Sequence, residues 1–170
     1  MKNLAVLFIT VALLSCQQPT KEVVPQIIGY DITEGVKIPI YGGDLSTVEV
    51  WEKYIKAHNE KDLETIQNLN AEQKFEVRTA KGNVFKSSEE HISALKKWFE
   101  SSANPKWTTK FLIASNFTTE EGVVSQWVTS GHNLSVLEEG DTLKLFQVHD
   151  ALIVNGKVQN FTITDRIATE

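Results

Sequence analysis

Few of the 170 residues in this chain could do chemistry, and two carboxylates stand out by their setting. Asp150 follows Phe146 and Val148 at alternate positions, and Asp165 follows Phe161 and Ile163 in the same way. Alternate residues of an extended strand share a face, so each aspartate would extend an apolar row. A carboxylate desolvated by such a row has a raised pKa, the property wanted of a general acid or base. Two simpler readings stand beside this one. Asp150 could cap a strand end, and Asp165 could pair at the surface with Arg166 or Arg78. The histidines, His58, His91, His132 and His149, are scattered with no partner at a metal-ligand spacing such as His-x-x-x-His. They read as surface or interface residues, and His149 alternates with Asp150, so it points away from it. No glycine-rich phosphate loop, serine-centred elbow or cysteine nucleophile is present. The sequence therefore predicts no metal and no cofactor.

The single cysteine, Cys16, belongs to a different kind of signal. Lys2 and Asn3 precede an apolar run over residues 4–14, too short to span a bilayer, which reads as a signal peptide over residues 1–15. It ends in Leu13-Leu14-Ser15-Cys16, which resembles the bacterial lipobox, where the cysteine is lipidated and becomes the new amino terminus. The competing reading is a chance cysteine beside an ordinary cleavage site. Lipid chains contribute about 0.8 kcal/mol per buried methylene, so several would hold a domain stably at a membrane surface. The expected location is the bacterial cell envelope, the outer membrane being favoured over the inner. No other stretch approaches the roughly 20 apolar residues of a spanning helix. Removal of the signal takes Lys2 with it and leaves 16 basic against 22 acidic residues, a net charge of −6. A phosphate backbone needs clustered Lys and Arg, and the longest basic run is Lys96-Lys97, so nucleic acid is not an expected partner.

Behind these residues stands one domain of ordinary size, with 41% hydrophobic and 23% charged residues. Residues 16–45 are punctuated by Pro19, Pro25, Pro39 and Gly42-Gly43, and read as a tether followed, from about Ile27, by an extended arm lying on the domain. A disordered linker is the alternative. Residues 46–69 read as helix, break and helix. Ser46 and Glu49 form a capping box, Val48, Trp51 and Ile55 recur at helical spacing with Tyr54 beside them, and the pattern breaks at 58–62 before resuming with Leu63, Ile66 and Leu69. A short alternating strand over 74–78 carries Phe75 and Val77 on one face. A second capping box, Ser87 with Glu90, opens a third helix through 101 with Ile92, Leu95, Trp98 and Phe99 as its apolar positions. Four long alternating segments follow at 106–117, 122–134, 142–154 and 157–167, the last two joined by Asn155-Gly156, a pair suited to a type I′ turn. Such a meander buries its face by curling around the helices, which gives an α+β fold with a cone-shaped pocket.

This order of elements, with the break at His58-Asn59-Glu60-Lys61-Asp62-Leu63 and the final hairpin Val154-Asn155-Gly156-Lys157-Val158, resembles the nuclear transport factor 2-like superfamily, which includes SnoaL-like polyketide cyclases and ketosteroid isomerases. The resemblance covers residues 46–168. It implies a cystatin-like roll in which three helices and the concave face of a curved antiparallel sheet enclose a cavity, while the opposite face serves dimerisation. Fold alone does not imply one activity. In the isomerase branch a first-helix tyrosine donates to the substrate oxygen, a place Tyr54 matches, and an aspartate ending the first strand takes the proton. Val77-Arg78 and Val148 stand where that branch carries its acidic residues. Aligned on Gly156-Lys157, the resemblance puts Phe146, Val148 and Asp150 on the concave face of one strand and Phe161, Ile163 and Asp165 on the next. Trp51, Trp98 and Arg78 complete the expected pocket lining.

Three readings of function follow: a lipid-anchored, homodimeric domain that binds a small, mostly apolar ligand or a protein partner without catalysis; a cyclase- or isomerase-like enzyme using Asp150, Asp165 and Tyr54; and an interaction module with a filled cone.

Overall fold

The structure is a computed structural model that describes residues 25–119 and 121–168; the expected signal segment and Cys16 lie outside the described residues. Eight strands form one sheet in the order β1-β2-β5-β6-β7-β8-β3-β4, from β1 (Ile27–Thr33), β2 (Val36–Gly42), β3 (Glu76–Arg78), β4 (Val84–Phe85), β5 (Lys106–Thr118), β6 (Val124–Glu138), β7 (Asp141–Val154) and β8 (Lys157–Ile167). All neighbours are antiparallel except β3 and β8, which run parallel with Val77 beside Phe161. Helices α1 (Leu45–Glu60), α2 (Leu63–Leu69) and α3 (Ser88–Glu100) accompany the sheet. This is the expected α+β roll. The arm upstream of α1 is a β-hairpin, joined to β5 through Tyr41 opposite Asn116 and Gly42 opposite Ser115.

Local chemistry sets the helix ends. The cap of α1 is Asp44, two residues before the expected Ser46: its carboxylate accepts from the Ser46 amide at 2.8 Å, so the helix starts at Leu45. Lys61 ends α1 in the left-handed region, its N–H donating to carbonyls of the last turn, and the Asp62 amide donates to Ala57 O at 2.9 Å. Asp62 then caps α2 through Thr65. Ser87 caps α3 by accepting from the Glu90 amide, while Glu90 reaches back to the Lys86 amide at 2.8 Å, one residue before the position of an ideal capping box. Asn155 and Gly156 both have positive φ, as the type I′ turn requires.

The core lies between α1, α3 and the concave face. Trp51, Tyr54 and Ile55 of α1 meet Leu95 and Phe99 of α3, Val128 and Leu134 of β6, Ala151 and Ile153 of β7, and Val158 and Phe161 of β8. The pairing of β7 with β8 slips by one residue after Leu152, so Gln159 is extra and both Val158 and Phe161 turn inward. The Trp51 ring is fully buried, with Tyr54, Phe161 and His149 at centroid distances of 5.2, 5.3 and 5.9 Å, and its Nε1 donates to Ser130 Oγ at 2.8 Å. Replacing Trp51 by Ala should lower unfolding free energy by about 3–5 kcal/mol in a urea titration, because the cavity left behind cannot collapse between three strands and a helix.

Candidate functional site

The concave face and the helices enclose a cavity of about 420 Å³. Helical periodicity builds one wall: Trp51, Tyr54, Ile55 and His58 fall at i, i+3, i+4 and i+7 of α1. His91, Leu95 and Trp98 do the same on α3, and Trp107, Gln147, His149 and Phe161 close the sheet side. Asn59 secures this geometry by clamping the start of β5, accepting from the Trp107 amide at 2.8 Å and donating to its carbonyl at 2.9 Å.

Hydrogen-bond partners assign the protons. His58 Nδ1 lies 2.8 Å from the Tyr54 carbonyl, which can only accept, so the proton sits on Nδ1 and Nε2 keeps a lone pair. The Tyr54 hydroxyl donates to Asn70 Oδ1 at 2.7 Å, and Asn70 donates onward to Ser88 Oγ at 2.9 Å. With its proton committed to Asn70, the Tyr54 oxygen is an acceptor toward His91 Nδ1, 3.5 Å away. Trp107 Nε1 donates to Gln147 Oε1 at 2.9 Å, which fixes that oxygen as an acceptor and therefore puts a proton on His149 Nε2, 3.0 Å from it. His132 stands behind the cavity between Ser130 and Thr109.

Burial dominates the electrostatics. Desolvation lowers His58 to about 4 against the opposing Tyr54 carbonyl, and lowers His91 to about 3 with help from His58. His132 falls to about 4 by burial, and His149 well below its ordinary range by burial and then by His132 and His58. Tyr54 is pushed well above its ordinary value by the same loss of water. The interior is thus neutral at pH 7, and Lys81, Glu138 and Asp165 are the charged residues of the lining. Neutral imidazoles of such low basicity and a hydroxyl already bonded to Asn70 make an interior suited to holding an apolar molecule with a few directed polar contacts.

The structure brings together part of the expected site. Trp51, Tyr54, Trp98, Phe161 and Ile163 line the cavity, and Asp165 lies on its exposed rim. Phe146, Val148 and Asp150 require correction: they lie on the convex face, where Asp150 is exposed and accepts from Thr129 Oγ1 at 2.7 Å. The concave face of β7 is instead Leu143, Leu145, Gln147 and His149. Strand β7 is apolar on both sides, and a one-residue shift exchanges its faces, so the bulky Phe146 and Val148 misdirect the assignment. Arg78 is also corrected: it points outside and pairs with Glu76 at 2.8 Å, while its neighbour Val77 is buried on the cavity side. The expectation that the histidines are surface or interface residues is overturned, since all four are buried. His58, His91, Gln147 and His149 are the polar lining that spacing between histidines could not reveal. A helical signal did exist, with His58 four and seven residues after Tyr54 and Trp51 on a buried stripe. Among the described residues, no group of three or more His, Cys, Asp or Glu is arranged to hold a metal.

These depressed values carry a pH dependence. Each folded-state pKa lies below the ordinary 6.5, so the stabilisation is complete above 6.5 and is lost as pH falls toward 4. Unfolding at pH 5 should take up about three to four protons, read from the pH slope of urea-unfolding free energy between pH 6 and 4.5. A slope below one proton would mean that the histidines are solvated.

No family model matches the sequence, and no curated protein does. Solved structures do resemble it. A candidate ketosteroid isomerase from Kribbella flavida superposes with a TM-score of 0.56 at 18% identity, over 74% of this chain and 81% of that one. An LEH-like epoxide hydrolase of M. tuberculosis gives 0.58 at 7%, over 71% and 83%. A candidate SnoaL-like polyketide cyclase from Jannaschia sp. gives 0.57 at 13%, over 72% and 86%. At such identities the likeness is one of architecture, and on that ground the chain has the nuclear transport factor 2-like fold, three helices on an open, curved, mostly antiparallel sheet.

Proposed function

We propose that this chain is an envelope lipoprotein, tethered through Cys16, whose domain holds a small, mostly apolar ligand without transforming it. The observation that carries the reading is the interior of the cavity: aromatic walls, neutral histidines and, among the described residues, no carboxylate beyond Asp165 and Glu138 at the exposed rim. A proton abstraction of the isomerase kind needs a base at the substrate and a donor for the developing oxyanion. Here Asp150 is on the other face and the Tyr54 proton is directed to Asn70. The lipid anchor is supported by Leu13-Leu14-Ser15-Cys16.

An enzymatic reading is favoured by the neighbours' own descriptions, which include an isomerase, a cyclase and an epoxide hydrolase. On this chain it would have to work through Asp165 or the histidines. A homodimer through the convex face is supported by Phe111, Ile113, Trp127 and Val148, which share one side of β5, β6 and β7, with Phe111 and Ile113 exposed.

The full chain, isolated from membranes in mild detergent, should show by native mass spectrometry an extra mass that is released on unfolding and recovered chemically unchanged. Recovery of a converted product would select the enzyme; absence of any extra mass in a dimeric chain would select the interaction module. Cys16→Ser should shift the chain from the membrane to the soluble fraction, and Asp150→Asn should leave ligand retention unchanged, since that side chain faces away from the cavity.

A further inference from the structure

The polar lining of the cavity is unbalanced in a way that specifies its ligand. His58 and His91 both line it, both are more than nine-tenths buried, and their rings are 5.9 Å apart. Both Nδ1 atoms face oxygens of Tyr54, one a carbonyl and the other a hydroxyl whose proton goes to Asn70. Each ring therefore turns an unprotonated Nε2 away from those contacts. Among the described residues, the polar side-chain atoms that are sealed off without a partner are Trp127 Nε1 and His149 Nδ1. The Nε2 atoms of His58 and His91 have no partner among the described residues and are not sealed, so the space they reach is the cavity. Burial keeps both rings neutral, and they present lone pairs rather than charge.

We infer that the cavity selects an uncharged, largely apolar molecule that carries a hydroxyl or N–H group, donated to the lone pair of His58 Nε2 with His91 Nε2 as the second acceptor. An alcohol or phenol fits this pattern, whereas a ketone or ether of the same shape leaves the two acceptors unmatched. A ligand ammonium or carboxylate would enter an interior that, among the described residues, has no counter-charge beyond its rim. A metal is a poor occupant, because two nitrogens fall short of the three or four protein ligands zinc takes, and no third ligating group joins them among the described residues.

This inference rests on the reading of the cavity as a ligand site, and the test separates the two. The full chain in detergent, stripped of bound molecules by unfolding and refolding, is titrated with 1-naphthol, 1-methoxynaphthalene and naphthalene, with tryptophan fluorescence as the readout. The expected result is that 1-naphthol binds about threefold to tenfold more tightly than 1-methoxynaphthalene, the effect of one net hydrogen bond, and that His58→Phe removes the preference while retaining naphthalene binding. Equal affinities for the two oxygen-bearing probes would overturn the inference and leave the ligand site standing. Binding of none of the three by the refolded chain would overturn both. Should His58→Phe fail to fold, nitrogen NMR of the unaltered protein decides: the His58 Nε2 resonance must shift upfield with 1-naphthol and stay in place with 1-methoxynaphthalene, and any other pattern refutes the assignment.

Discussion

The fold turns on one buried ring. Trp51 projects from the middle of α1 into the concave face, where it touches the histidine of β7 and the phenylalanine of β8 and hydrogen-bonds a serine of β6. A single side chain thereby fixes the height and rotation of the helix over three strands. Every cavity residue on α1 inherits that placement, because the next turn carries Tyr54 and the one after it His58. The same ring explains why a polar atom tolerates the centre of the core: the indole N–H needs a partner when buried, and Ser130 supplies it while also contacting His132.

Much of this architecture was legible in the sequence, and the failures have physical causes. The four long strands and three helices followed from period-two and period-3.6 patterns bounded by caps and turn pairs. The start of α1 was displaced because Asp44 and Ser46 are both competent caps two residues apart, and only the backbone decides between them. The face of β7 could not be read because Phe146, Val148 and Leu152 on one side are as apolar as Leu145, Ala151 and Ile153 on the other, and the concave side is interrupted by Gln147 and His149. Those two polar residues are tolerated inside because they bond to each other and to Trp107, a partner 40 positions away in the chain. Polarity in sequence therefore pointed outward while satisfied hydrogen bonds permitted burial.

The site is best understood through what burial does to acid–base groups. Histidine is ordinarily the side chain poised to exchange protons near neutrality. Withdrawn from water with carbonyl, hydroxyl and amide partners, the histidines around this cavity become fixed dipoles with defined donor and acceptor ends. Tyr54 undergoes the matching change, its proton held toward Asn70. The fold's neighbours bear names drawn from several chemistries, so the shared architecture by itself fixes none of them for this chain.

The parallel pairing of β3 with β8 has a kinetic meaning. Residues 76–78 of β3 lie against residues 160–162 of β8, so two walls of the cavity come from parts of the chain more than 80 positions apart. Closing so long a loop is slow relative to hairpin formation, and the hairpins β5-β6, β6-β7 and β7-β8 can form locally beforehand. The pairing of Val77 with Phe161 carries that larger closure entropy. Two walls of the chamber are thus joined by a pairing of high sequence separation, the kind of contact that slows folding.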